Sequence, residues 1–360
     1  TSYPTTSPTG AADIVCGGKS SRADWKAYGS NGMYVDVDTS MCNLPAGWSH
    51  YGYVTTLEGS SSHWVASGTS SVYSATRTGF RVYIERSSSG VSLAQAMASN
   101  YNWHINWAID TSRTHSGCSP TSWSNYGSSG VVRTTSTTSA GYIATPRYVT
   151  SVHGTSSHWT ARGTHMIYSP TKTQFTTYLY TSVGNSFATR HHWKVCWIGI
   201  SNPTTSGQST TGAWQSYGAN AYIDTPANAP THAGRIPVYV TSMQGGTSHW
   251  SAHGGGSLYW SGNKARTYIH GGSASFWNKY GHNVNWIAAY RPITSSPTPY
   301  PTTSPTAFPT ASPTSYPTTS PTGAADIVCG GKSSRADWKA YGSNGMYVDV
   351  DTSMCNLPAG

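Results

Sequence analysis

Three histidines recur in the same setting, as Ser62-His63-Trp64, Ser157-His158-Trp159 and Ser248-His249-Trp250. A repeated histidine invites general-base or metal chemistry, because imidazole titrates near neutrality and ligates zinc. Each copy stands far from the others in sequence and has no partner at ligand spacing, so the expectation is packing beside Trp64, Trp159 and Trp250. Those tryptophans could also offer flat faces on which sugar rings stack. Glycoside cleavage needs two carboxylates facing one cleft, and the only glutamates are Glu58 and Glu85. Asp36 and Asp38 are too sparse a set for a calcium loop. His253-Gly254-Gly255-Gly256 has the composition of a lipase oxyanion loop, but no Gly-x-Ser-x-Gly elbow accompanies it. His191, His192 and His253 are unrepeated and read as surface residues. No phosphate-binding glycine pattern is present. The residues therefore predict no catalytic site, no cofactor and no metal.

The cysteines point elsewhere. The chain has 6, of which Cys329 and Cys355 repeat Cys16 and Cys42. Each period thus holds Cys16, Cys42, Cys118 and Cys196, an even set without CxxC spacing. Structural disulfides of an oxidising compartment are expected. Of the three connectivities, Cys16–Cys42 with Cys118–Cys196 is favoured, because each pair then closes within one module.

Charged residues are 9% of the 360, and 21 bases against 12 acids give a net charge of +9. The bases are scattered, which argues against a nucleic-acid surface and leaves weak affinity for acidic polysaccharide. No apolar run approaches the roughly 18 residues of a membrane span. Trp (15) and Tyr (25) are abundant in an otherwise Ser-, Thr- and Gly-rich chain, a composition suited to aromatic-packed β-sandwiches.

Repeats set the organisation. Thr1 to Gly47 recurs letter for letter as Thr314 to Gly360, an offset of 313 residues (314 less 1). The chain reads as one period plus the start of the next, cut from a longer polymer. Within the period three landmarks return in order. The first is Trp25 with Tyr28-Gly29, Trp123 with Tyr126-Gly127, and Trp214 with Tyr217-Gly218. Ser-His-Trp is the second. The third is a closing aromatic segment, Trp103 to Ala108, Trp193 to Ile198, and His282 to Ala288. Between landmarks, runs such as Arg81-Val82-Tyr83-Ile84 and Thr177-Tyr178-Leu179-Tyr180 alternate with period two, as antiparallel strands do. Only Ser92 to Ser99 reads as a helical turn. The expected fold is all-β: three tandem antiparallel β-sandwich modules of six or seven strands, joined by an extended linker. The boundaries are 1–12 (linker end), 13–115, 116–205 and 206–292 (modules 1 to 3), 293–325 (Pro/Thr/Ser linker) and 326–360 (start of the next module 1).

The runs Thr76-Arg77-Thr78-Gly79-Phe80 with Trp107-Ala108, and Thr171 to Phe175 with Trp197-Ile198-Gly199, resemble the H-type lectin β-sandwich. The wider pattern over residues 13–291 resembles tandem modules of algal and protist surface proteins joined by Pro-Thr-Ser linkers. The resemblance implies a sandwich fold and binding of galactose-type sugars through polar residues at a trimer interface.

The linker is a tetrapeptide repeat, with Pro297, Pro301, Pro305, Pro309, Pro313, Pro317 and Pro321 each followed by Thr. Such tracts adopt polyproline II and carry O-linked sugar. The candidate acceptors are Thr298, Thr302, Thr306, Thr310, Thr314, Thr318 and Thr322. Tyr300, Phe308 and Tyr316 return every eight residues, which predicts an ordered rod docked along the modules. The functional expectation is a structural subunit of an extracellular glycoprotein fibre or surface appendage, assembling head to tail with itself. The alternative is a multivalent lectin or adhesin.

Overall fold

The computed structural model describes residues 15–30, 32–86, 95–232, 234–292, 339–341 and 345–347. The linker with its proposed acceptors, Cys329 and Cys355 lie outside them. The chain divides into two compact units, Thr1–Ser295 and Ser296–Gly360. In the second, Lys339–Tyr341 pairs antiparallel with Gly345–Tyr347, in the register that Lys26–Tyr28 and Gly32–Asp38 adopt in the first.

The fold is all-β. Outer strands alternate as their sequences do: Gly32–Asp38, Gln174–Tyr180 and Asn220–Pro226 each turn every second residue inward. Three cores lie between facing strands. They centre on Trp103 and Trp107, on Trp193 and Trp197, and on Trp214 and Trp277. The first tryptophan of each landmark set is tied to the closing segment through its indole N–H. Trp25 donates to the Trp103 carbonyl, Trp123 to that of Trp193 and Trp214 to that of His282, at 3.0, 2.8 and 2.9 Å.

The three stretches of sequence do not keep their sheets to themselves. One seven-stranded sheet runs Cys16–Lys19, His104–Ile109, Val54–Glu58, then Ser257–Ser261, Lys264–Ile269, Asn220–Pro226 and Gln215–Tyr217. A second runs Ser124–Asn125, Gly130–Ser136, Gln174–Tyr180, Met166–Tyr168, then Val238–Gly245, Asn283–Ala289 and Ser206–Gln208. The third runs Lys26–Tyr28, Gly32–Asp38, Gly79–Arg86, Ser71–Tyr73, then Arg147–His153, Lys194–Ile200 and Ser116–Cys118, with Ala66–Ser67 beside Gly79–Arg86. Each of these three sheets therefore joins strands of two stretches. The seam is each time a parallel pairing: Val152 opposite Ser71, Met166 opposite Met243, and Ser257 opposite Leu57. First joins second, second joins third, and third closes on first. The expectation of purely antiparallel pairing is corrected at these seams. Period two fixes which face a side chain takes but not the direction of the neighbouring strand.

The strands along the central axis are Val54–Glu58, Arg147–His153 and Val238–Gly245, and they are buried almost throughout. Val54, Val149, Val240, Ala108, Ile198 and Ile287 pack together there. Beside them runs a closed ring of hydrogen bonds. The Thr55 amide donates to Ser151 Oγ (2.9 Å), the Thr150 amide to Ser242 Oγ (2.9 Å) and the Thr241 amide to Thr56 Oγ1 (2.8 Å). A buried amide without a partner costs more than the bond itself contributes. Replacing Ser151 with alanine should therefore lower stability by about 1–3 kcal/mol, read as a shift in the guanidinium midpoint. A shift indistinguishable from zero would show that the ring is dispensable.

A second ring is broken in an informative way. Asn106 and Asn285 each precede a closing tryptophan, and their side-chain amides donate across the axis to the carbonyls of Tyr239 and Tyr148, both at 3.0 Å. Cys196 stands at the third corner and is bonded to Cys118. There His153 Nε2 takes over and bonds the Tyr53 carbonyl at 2.8 Å. The other disulfide joins Cys16 to Cys42.

Among the described residues helix is confined to short pieces. Gln95–Asn100 overlaps the turn expected at Ser92 to Ser99, but Asn185–Arg190 and Ala274–Lys279 were not anticipated. Six residues show too little periodicity to read. The one sequence cue is Ser273, whose hydroxyl accepts from the Phe276 amide as an N-cap. No helix among the described residues is long and apolar enough to cross a membrane.

Candidate functional site: three aromatic clefts at the seams

Each seam carries the same cluster, assembled from both of its partners. The serine before each His-Trp pair adopts a left-handed backbone, with φ of 63° at Ser62, 60° at Ser157 and 58° at Ser248. This conformation is uncommon for a residue other than glycine, and it directs the histidine inward and the tryptophan outward. His63, His158 and His249 are fully buried. Each stacks on a tyrosine of the adjoining stretch, with ring centres 3.8 Å apart for His63–Tyr259, 3.8 Å for His158–Tyr73 and 3.9 Å for His249–Tyr168. The same tyrosine hydroxyl accepts the amide of the following tryptophan, at 3.1 Å for Trp64, 3.0 Å for Trp159 and 2.7 Å for Trp250.

The proton on each imidazole is fixed by its partner. Nε2 of His63, His158 and His249 lies 2.8, 2.9 and 3.1 Å from the carbonyls of Leu258, Val72 and Ile167. A carbonyl can only accept, so Nε2 carries the hydrogen. Burial holds the rings neutral, pushing the pKa of His63 down to about 4 and those of His158 and His249 to about 3. These histidines are the keys that lock one stretch to the next. His253, read as a surface residue, is instead buried. Its Nδ1 lies 3.4 Å from Ser67 Oγ across the seam between first and third stretches. The three glycines after it let this segment turn inward, a packing use of glycine that composition alone does not distinguish from a loop.

Outside the keys, the tryptophans are half-buried and line clefts with tyrosines of the adjoining stretch. Trp64 meets Tyr217 and Tyr268, Trp159 meets Tyr28 and Tyr83, and Trp250 meets Tyr126, Tyr178 and Tyr180, at ring separations between 5.3 and 6.5 Å. The tyrosines of the Tyr-Gly turns stay open to solvent: Tyr28 is 46% exposed, Tyr126 45% and Tyr217 50%. The cleft at Trp64 has a volume of about 200 Å³ and is floored by Ser60, Ser61 and Ser62. Glycine makes room for the tryptophan, since a Cβ on Gly130 would lie 2.4 Å from the Trp250 ring. Arginines border the same strands. Arg81 holds Asp36 through two bonds and lies 4.3 Å from the Tyr34 ring, and Arg266 does the same with Asp224 and Tyr222.

The carboxylates Glu58, Asp36 and Asp38 are each engaged by neighbouring groups. Glu58 is buried and paired with Lys19, and Asn106 donates to its other oxygen at 2.7 Å. Asp36 is engaged by Arg81 and Lys26, and Asp38 accepts from the Ser40 amide. Among the described residues no three His, Cys, Asp or Glu side chains converge as metal ligands would. The sequence reading missed the tyrosine partners, although Tyr73 and Tyr168 each end a short hydrophobic run and Tyr259 stands within one, because nothing local shows which stretch a ring will meet. Comparison with protein-family models, curated proteins and solved structures finds no match.

Proposed function

We propose that this chain is a structural repeat of an extracellular glycoprotein fibre. The observation that carries the reading is the closure of three like stretches into one body, in which each seam is built from the same histidine, tyrosine and tryptophan. Such a body presents no open seam, and its first 47 residues return at an offset of 313 (Thr1 to Thr314), as a tandem array of such bodies requires. The two disulfides fit an oxidising location outside the cell. In this reading the Pro-Thr-Ser tract is the O-glycosylated connector and the partner is another copy of the same chain. Electron microscopy of the native material should show filaments with one bead per 313 residues and added glycan mass on the connector. Dispersed single bodies of bare polypeptide mass would refute it.

The exposed tyrosines favour a second reading, a multivalent lectin. Three stretches closed about an axis support the resemblance to H-type lectins, and Trp64, Trp159 and Trp250 with their tyrosines offer three flat stacking surfaces. Titration with galactose-type sugars and acidic polysaccharide separates the two. Binding that disappears in a Tyr28→Ala, Tyr126→Ala, Tyr217→Ala triple variant would establish the lectin reading.

A further inference from the structure

The first and last described parts of the large unit lie side by side. Cys16 forms a parallel bridge with Tyr290. The Gly17 amide donates to the Tyr290 carbonyl at 3.0 Å, and the Tyr290 amide donates to the Val15 carbonyl at 2.9 Å. Strand Cys16–Lys19 is fixed on its other flank by four pairs to His104–Ile109, from Cys16 opposite Ile109 to Lys19 opposite Asn106. Tyr290 follows directly on Asn283–Ala289, which is held by Val238–Gly245 and Ser206–Gln208. Its ring is buried and its hydroxyl donates to the Pro230 carbonyl at 2.9 Å. Cys16 is also bonded to Cys42, which follows Gly32–Asp38 in the opposite sheet of the same core.

We infer that the contact of Val15, Cys16 and Gly17 with Tyr290 is a tension latch, which makes the unit a load-bearing element. Because the two segments run parallel, pulling the chain backward from Val15 and forward from Tyr290 draws them past each other along their common axis. Their hydrogen bonds are then strained together and must break together. An antiparallel pair with its free ends at one edge would open one bond at a time under far less force. Breaking bonds together raises the barrier to forced unfolding, and that barrier sets the rate under load. The Cys16–Cys42 bridge spreads the load entering at Cys16 into the second sheet, so the latch is anchored on both sides of the core. The inference concerns the fold alone and stands whether or not fibres form.

Single-molecule stretching of the whole chain through handles placed at Ile14 and Ile293, so that only the large unit is loaded, tests it. Of the 274 residue steps between Cys16 and Tyr290, the disulfides short-circuit 26 and 78, leaving 170. Complete release should therefore add about 600 Å of contour with disulfides intact and about 950 Å after reduction. With disulfides intact, the first release should be the strongest, with no weaker one before it. Tyr290→Pro removes the amide donated to Val15, and Gly17→Ala places a Cβ 2.4 Å from that of Ala289. Each should at least halve the force of the first release while keeping the 170-step increment. Tyr290→Phe keeps the backbone bonds and should match the wild type. Weaker releases preceding the strongest in the wild type would overturn the latch, as would wild-type force in both weakened variants with the increment intact. Should those variants not fold, the order of releases in the wild type and in Tyr290→Phe decides alone.

Discussion

Acidification from pH 7 to 4 should unfold this protein cooperatively, with a midpoint between pH 6 and 4. Burial depresses eight histidines below the ordinary 6.5, His50 and His282 among them, and six of them far below it: His63 to about 4, and His153, His158, His165, His249 and His253 to about 3. Each is neutral when folded and binds a proton on unfolding, so the unfolded chain carries more protons between the two values. The stability each contributes is whole above pH 6.5 and is lost as the pH falls toward the folded value. The slope is on the order of 1.4 kcal/mol per pH unit for each group. Six together can consume a typical stability of about 5–15 kcal/mol within one to two pH units. Tryptophan fluorescence against pH, with disulfides intact, measures it. A His63→Gln, His158→Gln, His249→Gln variant keeps a donor for each carbonyl while removing three proton sites. Its acid midpoint should move down relative to its own neutral-pH stability. A wild-type transition confined to below pH 3 would show that carboxylates, not these histidines, govern acid stability.

Reduction should be the second large effect. In the loop-entropy account, opening the Cys118–Cys196 bridge, with its separation of 78 residues, releases on the order of 4 kcal/mol of constraint on the unfolded chain. The Cys16–Cys42 bridge, with a separation of 26, contributes on the order of 3 kcal/mol more. The first also leaves Cys196 as a thiol at the axial corner where the other two stretches have Asn106 and Asn285. Guanidinium midpoints of oxidised protein, of Cys16→Ser/Cys42→Ser and of Cys118→Ser/Cys196→Ser should rank in that order, the last being least stable. Equal midpoints for all three would mean that neither bridge constrains the unfolded state.

What was legible in the sequence was local. Alternation at Gly32–Asp38 and Gln174–Tyr180 gives strands, and the recurrent Trp25, Trp123 and Trp214 mark the corresponding place in each core. Illegible was everything set between stretches. Thr55, Thr150 and Thr241 look like surface threonines but lie on the axis, because their polar atoms find partners contributed from roughly 90 to 185 residues away. The recurrent histidines signalled packing, yet their partners Tyr73, Tyr168 and Tyr259 carry no local mark. Pairing direction at a seam depends on which stretch meets which, and no period of two or 3.6 encodes it.

The closure of the third stretch on the first also sets an order of events as the chain is made. The pairing of Ser257–Ser261 with Val54–Glu58 cannot form until some two hundred further residues have been synthesised, and contacts so distant in sequence form slowly. Until then Val54–Glu58 and Met166–Tyr168 each present a strand edge that matches a partner not yet made. A seam of this head-to-tail kind either closes into a ring or runs on without end. Where several copies of the chain fold close together, Ser257–Ser261 of one can seat on Val54–Glu58 of another and exchange partners. Rapid, uncrowded folding favours closed rings, and crowded folding favours chains linked through exchanged strands.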